Sequence, residues 1–191
     1  MIIFSRNYEL YCYIHIPKNS GTYFRDQLQK DEECIIIENF WGKKCFFDLA
    51  HIPYMLVTRY TSHVNYNNTT YLAHLRNPYD RVISAFFYHF PKKTTNDFKL
   101  FVKTELVKLV FDMKFNRNII HYYPQYFFVC DKYLKIPTNI KTHKVEDTFP
   151  NFKKYELFKY YDTSSLQIIN KIYHLDFELF NYKKLKTILR V

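Results

Sequence analysis

The sequence predicts an α/β fold, with one domain over residues 1–191 and a central, mainly parallel sheet flanked by helices. Two observations support this class. Short apolar segments typical of buried strands alternate with segments that carry apolar residues at helical spacing. No repeat and no linker rich in Pro, Gly or Ser divides the chain, and 191 residues fit a single domain.

The strand predictions rest on short apolar runs bounded by polar or turn-forming residues. The segments are 11–16, 34–37, 54–57, 71–75 and 139–145, and the polar stretch 65–70 is predicted to be a loop. Pro17 ends the first of these strands, because proline cannot continue a hydrogen-bonded ladder.

The helix predictions rest on periodicity and caps. Asn77 is a good N-cap, Pro78 suits the first helical position, and Asp80 complements the positive end of the helix dipole. Further helices are predicted at 22–30, 97–113, from 146 onward and at 164–173, whereas 124–129 fits either a short strand or a short helix.

The formal net charge is +10 and the isoelectric point is about 9.3, which favours anionic partners. Nucleic acid, anionic lipid, acidic glycans and phosphorylated cofactors all fit this charge. A coding bias toward Lys, Asn, Ile, Tyr and Phe explains it equally well. No helix-turn-helix, RNP or zinc motif is visible, so a nucleic-acid partner is not expected.

No apolar run approaches the length of a membrane-spanning helix, and the N-terminal segment lacks the pattern of a signal peptide. We therefore expect a soluble, cytoplasmic protein without a membrane segment. The four cysteines have no CxxC spacing, which disfavours a zinc site. Free thiols are expected, and a Cys34–Cys45 pair stays open for an oxidising compartment.

The segment 13–23 carries the most chemical information. A hydrophobic strand runs into a tight loop with Lys18, Asn19, Ser20 and Gly21, and a helix follows. Such a junction presents backbone N–H groups and a helix N-terminus to an anion. It is not a Walker A loop, which places its Lys directly after the last Gly. A simple strand-to-helix turn with an incidental Lys is the competing interpretation.

The run His-Ile-Pro-Lys-Asn-Ser-Gly-Thr at 15–22 resembles the 5′-phosphosulfate loop of sulfotransferases that use 3′-phosphoadenosine-5′-phosphosulfate (PAPS). The similarity is greatest to the carbohydrate branch, which includes heparan sulfate 2-O-sulfotransferase. Asn19 and Ser20 replace the Thr and Gly often found there. The resemblance implies a P-loop-like fold, with Lys18 as a catalytic residue. The cofactor ligands that it implies are Lys18, Asn19, Ser20, Gly21, Thr22 and Tyr23.

The run from Leu75 to Phe86 resembles the 3′-phosphate motif of the same family, RxPxxRxxSxY/F. The resemblance assigns Arg76 and Ser84 to the 3′-phosphate. A guanidinium can bind a phosphate through two hydrogen bonds, and Arg76 follows a predicted strand, where ligands gather in open α/β sheets. A structural ion pair of Arg76 is the alternative. Arg81 is a candidate for a second anion ligand, although a surface ion pair with Asp80 or another carboxylate is the preferred interpretation.

Three weaker matches extend the resemblance over about residues 11–182. They are Pro124-Gln125, the segment 144–147, and the segment 173–182, in which Asn181 replaces a Gly. Asn tolerates the left-handed conformation that such a glycine adopts. We expect the last two segments to serve packing more than chemistry.

The resemblance implies a reaction in which PAPS donates a sulfuryl group to an acceptor hydroxyl and leaves as 3′-phosphoadenosine-5′-phosphate (PAP), without a metal. The acceptor implied is a carbohydrate, and the basic charge suggests an anionic glycan; other hydroxyls stay open. Such a transfer needs a base near the acceptor and a cation near the leaving oxygen.

His51 is the preferred base, because 50–54 resembles a GHxPY-like segment of related enzymes and imidazole titrates near neutral pH. Glu38, after the second predicted strand, is the runner-up, and His15 and His74 are expected to be structural. Two other functions stay open, namely a non-catalytic binder of polyanions or nucleic acid and a nucleotide-dependent kinase.

Overall fold

The computed structural model describes residues 1–43, 48–65, 67–111, 119–149 and 151–187. They form two compact units. The first comprises residues 1–75 and 125–150 and the second comprises 76–124 and 151–191. The prediction of a single domain stays a prediction.

The strands are β1 (Ile2–Arg6), β2 (Glu9–Ile14), β3 (Cys34–Asn39), β4 (Thr70–Leu75) and β5 (Ile140–Lys144). The helices are α1 (Gly21–Leu28), α2 (Pro78–His89), α3 (Thr95–Thr104), α4 (Leu106–Phe111), α5 (Tyr126–Val129), α6 (Val145–Thr148), α7 (Leu157–Tyr160), α8 (Thr163–Ile172) and α9 (His174–Leu179). Three short 3₁₀ helices lie at Leu49–His51, Tyr54–Arg59 and Ile120–Tyr122. The α/β class is confirmed.

The sheet belongs to the first unit and its strand order is β3-β1-β2-β4-β5. β2, β4 and β5 run parallel, whereas β1 is antiparallel to both β2 and β3. Two of the four pairings are therefore antiparallel, so the sheet is mixed, although four of its five strands run in the same direction. The exception is β1, which lies where no strand was predicted from the sequence.

The turn between β1 and β2 explains why that strand was missed. Asn7 and Tyr8 both have positive φ, 50° and 64°, as the two central residues of a type I′ hairpin turn require. The usual signal for such a turn contains Gly, which is absent here. The turn projects Tyr8 entirely into solvent.

One face of the sheet in the first unit is covered by α1. Phe24 and Leu28 of this helix pack against Phe4 and Tyr13 of the sheet, and the rings of Tyr13 and Phe24 are 4.3 Å apart. At the edge of the sheet, β3 leaves Ile35 and Ile37 exposed.

One predicted strand is wrong. Residues 54–57 belong to a 3₁₀ helix, Tyr54–Arg59, that begins directly after Pro53. An apolar run of only four residues fits a helical turn as well as a strand, because it is too short to show a periodicity. Burial of Tyr54 and Val57, three residues apart, is the helical pattern that the structure reveals.

The second unit has an all-helical core. The buried residues come mainly from α2, α3, α4, α8 and α9 and include Ile83, Phe98, Leu106, Ile169 and Phe177. The helix predicted at 97–113 begins two residues earlier and is divided at Glu105 into α3 and α4; residues 112–118 lie outside the described part.

The cap predicted for α2 is confirmed. The Asn77 side chain accepts a hydrogen bond from the Tyr79 amide at 3.0 Å, and Pro78 occupies the first position of the helix. Asp80 is buried and accepts a hydrogen bond from the amide of Tyr155 at 2.7 Å. The first turn of α2 is thus fixed both by its own cap and by the segment that precedes α7.

Candidate functional site

The loop between β2 and α1 has an unusual backbone. Lys18 and Ser20 both adopt positive φ, 68° and 60°. This conformation is uncommon for residues with a side chain, and clusters of it are typical of ligand-binding turns. The loop leads directly into α1, whose first-turn amides have no acceptor within the helix. The N–H groups of Gly21, Thr22 and Tyr23 therefore belong to a strand-end turn of the kind that holds anions.

Asn19 lies between these two residues and is fully buried. Its amide nitrogen donates to the carbonyl oxygen of His74 at 2.7 Å and to Oε1 of Gln125 at 2.6 Å. One side chain therefore fastens the loop to the end of β4 and to the residue that precedes α5. The prediction that Asn19 is a cofactor ligand stays a prediction, and its amide nitrogen has these two protein acceptors.

Lys18 and Ser20 are half-buried, whereas Thr22 and Tyr23 are exposed. The Tyr23 ring packs edge-on against Phe149, with ring centroids 5.0 Å apart. The structure brings Lys18, Ser20, Gly21 and Thr22 together at one strand-to-helix junction, as the sequence predicted.

Gly21 is required for a reason that the sequence did not reveal. A Cβ atom at this position would lie 2.0 Å from Cδ2 and Nε2 of His15. The imidazole of His15 thus occupies the space that any side chain at position 21 would need. The absence of a side chain serves packing between the strand end and the helix, whether or not an anion also approaches here.

His15 is the centre of a stacked group. Its ring lies parallel to Trp41, with centroids 4.9 Å apart, and 4.5 Å from the ring of His51. The guanidinium of Arg25, on α1, covers Trp41 at 4.3 Å from the ring centroid. The indole of Trp41 thus contacts both an imidazole and a cation, and a guanidinium over an electron-rich ring is a favourable contact.

His51 is buried, and its Nδ1 lies 2.9 Å from the carbonyl oxygen of His15. A carbonyl can only accept, so Nδ1 carries the hydrogen and donates it. In the neutral imidazole the lone pair is then on Nε2. This tautomer is the one that a general base needs, and it is fixed by a residue only three positions before Lys18.

Glu38, the alternative base, has protein partners. Its Oε2 accepts a hydrogen bond from Thr61 Oγ1 at 2.9 Å, and its Oε1 lies 3.6 Å from Nζ of Lys43. The hydroxyl and the nearby cation hold the Glu38 carboxylate in place.

His74 lies on β4 beneath the loop and is structural, as expected. Its Nδ1 is 3.1 Å from the hydroxyl of Tyr13, and the rings of Phe24 and Phe149 pack against it. Burial, assisted by the neighbouring His143 on β5, lowers the pKa of His74 to about 4. His74 is therefore neutral near pH 7.

In the second unit, Arg76 is buried, and its Nη2 donates to the carbonyl oxygen of Lys153. Its guanidinium also lies over the rings of Phe152 and Tyr155, at 5.4 and 5.7 Å. A planar cation enclosed by two rings and one carbonyl has its orientation fixed by the 152–155 segment. The predicted phosphate ligand thus already has protein contacts.

Ser84 lies in the second turn of α2 and is half-buried. It follows Asn77 by seven positions, so it shares a helix face with the cap.

Arg81 is fully buried, so the expectation of a surface ion pair is wrong. Burial lowers the pKa of its guanidinium, and nearby Tyr173 and Asp176 oppose that effect. Asp176 is itself buried, and α9 brings it into the core. The segment 173–182 therefore contributes to the interior of the second unit, and Asn181 adopts the expected positive φ, 53°.

A groove, the metal-ligating side chains, the helix lengths and the cysteines are relevant to the remaining predictions. A groove of the first unit is lined by residues that include Phe4, Arg6, Tyr11, Phe24, Leu28 and Leu72, and no predicted site residue lines it. Within the described ranges, no three His, Cys, Asp or Glu side chains are grouped as metal ligands, and no helix is long and apolar enough to span a bilayer. Cys34 is a free thiol, and Cys45 lies outside the described residues.

Comparison of the chain with protein-family models, with curated proteins and with solved structures found no match.

The contact between Gly21 and His15 gives a first prediction. Gly21→Ala should displace the His15 ring and lower the free energy of unfolding by about 2–3 kcal/mol, the usual cost of overpacking. Trp41 is the only tryptophan and stacks on His15, so its native-state fluorescence should change as well.

Gly42→Ala is the matched control, because Gly42 has φ +78° but open space around its Cβ position. It should cost only about 1 kcal/mol. Adding His15→Ala to Gly21→Ala should recover part of the loss, and strictly additive effects of the two changes would contradict the proposed clash.

The low pKa of His74 gives a second prediction. The unfolded imidazole titrates near 6.5 and the folded one at about 4, so the unfolded state binds more protons between these values. His74 therefore contributes stability that is present above pH 6.5 and is lost as the pH falls toward 4. The loss reaches about 3 kcal/mol.

Denaturant unfolding followed by Trp41 fluorescence at pH 7, 6, 5 and 4 measures this effect in the first unit. His74→Gln should flatten the pH dependence by that amount. His143→Gln, which removes an exposed histidine on the adjacent strand, should flatten it only in part, because burial is the larger cause of the low pKa of His74. An equal slope in wild type and His74→Gln would refute a buried neutral His74.

Proposed function

We propose that this protein is a sulfotransferase with a P-loop-like sulfotransferase fold. It would move a sulfuryl group from PAPS to an acceptor hydroxyl, with a carbohydrate as the preferred acceptor class. The observation that carries the proposal is the arrangement in the first unit. A strand-end loop bearing Lys18 leads into a helix N-terminus, and a histidine fixed in the base-competent tautomer contacts the same loop.

The reaction needs a base for the acceptor, a cation at the leaving oxygen and ligands for the 5′-phosphate. We assign these roles to residues of the loop after β2 and to His51. The acceptor oxygen attacks sulfur and forms a new S–O bond. The S–O bond to the 5′-phosphate of PAPS breaks, and that phosphate leaves as PAP. His51 Nε2 accepts the acceptor's proton, so His51 is the proposed general base.

Lys18 is the proposed cation at the leaving oxygen, where negative charge accumulates as the bond to sulfur breaks. The amides at residues 20–22 are the proposed ligands of the 5′-phosphate, assisted by the dipole of α1. Charge neutralisation by a lysine, backbone amides and a helix N-terminus is sufficient chemistry for this step without a metal ion.

The buried position of Asn19 refines the proposed cofactor site. Its amide nitrogen holds the loop through His74 and Gln125, so its proposed contribution is to position Lys18 and Ser20 on either side of it. This also gives a physical reason for Gln125, whose Pro-Gln pair matched the family pattern. The pair supports the loop that would hold the nucleotide.

Arg76 and Ser84 are the proposed ligands of the 3′-phosphate, which distinguishes PAPS from ordinary 5′-nucleotides. This part of the proposal rests on the sequence resemblance. A guanidinium carries five N–H donors and can hold a phosphate through two of them. A guanidinium whose orientation is fixed should bind a phosphate better than a cation that rotates freely.

The transfer test uses sulfur-labelled PAPS with a panel of neutral and anionic glycans. Wild-type protein should transfer label to at least one glycan. Lys18→Ala should lower the rate about 10²–10³-fold through loss of leaving-group stabilisation. His51→Gln should lower it about 10²–10⁴-fold while PAP binding is retained, because the base contacts the acceptor and not the nucleotide.

His143→Gln is the control for the loss of a histidine and should leave turnover unchanged. Unchanged turnover in His51→Gln would eliminate His51 as the base. If wild-type protein transfers no label and binds PAP no better than AMP, the sulfotransferase proposal fails. Phosphate transfer from ATP with magnesium would instead support a kinase.

The 3′-phosphate prediction is tested by comparing the affinities for PAP and AMP. Ser84→Ala should weaken PAP binding about tenfold, the value of one hydrogen bond to a charged group, and leave AMP binding unchanged. Arg76→Lys should weaken PAP binding further, with thermal melting as a control because Arg76 also contacts Phe152 and Tyr155.

Equal losses for PAP and AMP in Ser84→Ala would contradict the assignment of Ser84. Tight binding of nucleic acid with a steep salt dependence, and no preference for PAP, would support the polyanion-binding alternative.

A further inference from the structure

The loop 131–135, between α5 and β5, presents two apolar side chains to solvent. Tyr133 is 69% exposed and Leu134 is 48% exposed. Single exposed apolar residues are common on protein surfaces and need no explanation. Here two adjacent ones form the tip of a loop, and the backbone shows that the loop is built to hold them there.

Asp131 closes this loop. Its Oδ1 accepts hydrogen bonds from the amides of Tyr133 at 2.8 Å and of Lys135 at 2.9 Å. Its backbone N–H donates to the Lys135 carbonyl at 2.9 Å, and its carbonyl accepts from the Leu134 amide at 3.1 Å. Four hydrogen bonds within five residues make a compact turn, so the tip is not a freely moving segment.

Leu134 adopts a positive φ of 60° at this tip. A leucine in the left-handed region is strained, and Gly or Asn would relieve that strain. The chain therefore keeps a leucine in an unfavourable conformation at a position where 48% of the residue is exposed. Such an outlier is a reason to suspect a function for the side chain itself.

The charges around the tip identify the partner. Lys132 and Lys135 flank it and are exposed, and the Nζ of Lys132 lies 5.0 Å from the Tyr133 ring centroid. The carboxylate of Asp131, in contrast, is directed at backbone amides within the turn. The surface of the tip is thus apolar at its centre and positive at its sides, on a chain with net charge +10.

We propose that the loop 131–135 docks on anionic lipid membranes, with Tyr133 and Leu134 entering the interface and Lys132 and Lys135 contacting acidic headgroups. Tyrosine is favoured at the headgroup level because its ring is apolar and its hydroxyl is polar. Lysines near an anionic surface add electrostatic attraction. The combination is that of a peripheral contact and not of a span.

A soluble polyanion, such as a glycan or a nucleic acid, fits the observations less well. It would use the lysines and could stack on Tyr133, but it would leave Leu134 in water and its strain unexplained. A bilayer uses all four side chains. The proposal does not depend on the sulfotransferase activity, so either can fail without the other.

The experiment is co-sedimentation with vesicles of phosphatidylcholine alone or of phosphatidylcholine and phosphatidylserine at 7:3. Wild-type protein should bind the mixed vesicles and bind the neutral ones at least tenfold more weakly. Tyr133→Ser with Leu134→Asn should lose at least tenfold in affinity for the mixed vesicles. Asn suits the positive φ, so this variant should fold at least as well as wild type.

Two further variants separate the contributions. Lys132→Gln with Lys135→Gln should weaken binding about fivefold per lysine, since each contributes about 1 kcal/mol near an anionic surface. Tyr8→Asn is the matched control, because Tyr8 is an exposed tyrosine with positive φ on another tight turn. It should leave binding unchanged.

Failure of wild-type protein to bind mixed vesicles would overturn the proposal. So would binding that survives Tyr133→Ser with Leu134→Asn but is lost with the two lysines, because that pattern means charge attraction alone. Equal weakening by Tyr8→Asn would also overturn it, since any exposed tyrosine would then suffice.

Discussion

The candidate site depends on one buried amide. The two hydrogen bonds from the Asn19 nitrogen join the loop after β2 to the end of β4 and to the residue before α5. They are long-range contacts that fix the residue lying between Lys18 and Ser20, both of which have positive φ. A buried amide that lost both acceptors would also carry a substantial desolvation cost. The same two hydrogen bonds therefore set the conformation of the loop and make other conformations less stable.

The second determinant of the site is the close contact between His15 and Gly21. His15 makes three contacts that shape the site, each through a different part of the residue. Its ring fills the space over Gly21, its face stacks on Trp41, and its carbonyl fixes the tautomer of His51. The proposed base and the proposed phosphate loop are thus coupled through the backbone of a single position, which precedes Lys18 by only three residues.

Local signals predicted the local structure well. The Asn77-Pro78 cap, the strand ending before Pro17 and the left-handed Asn181 all follow from the chemistry of one or two residues. The errors occur where local signals compete. The type I′ turn at Asn7 and Tyr8 lacks Gly, so β1 was not recognised. The apolar run after Pro53 fits a 3₁₀ helix and a strand equally well.

The sequence could not show which polar side chains hydrogen-bond to distant parts of the same chain. The partners of Asn19 lie 55 and 106 residues away, and Arg76 donates to a carbonyl 77 residues further on. Such contacts depend on the tertiary fold, and no periodic pattern in the sequence indicates them. Asn19 and Arg76 were therefore assigned to a ligand from their positions in the family motifs, without knowledge of these partners. Arg81 was placed on the surface although it is buried.

The exposed edge of the sheet has a practical consequence for anyone who purifies this protein. β3 ends the sheet with a Cys-Ile-Ile-Ile sequence, and Ile35 and Ile37 are open to solvent. An edge strand with exposed apolar side chains can serve as a template for strand addition by another molecule. Mutual repulsion between copies that each carry a large positive charge opposes that addition. Concentrated salt screens this repulsion, so colloidal stability should be best in dilute buffer of low ionic strength.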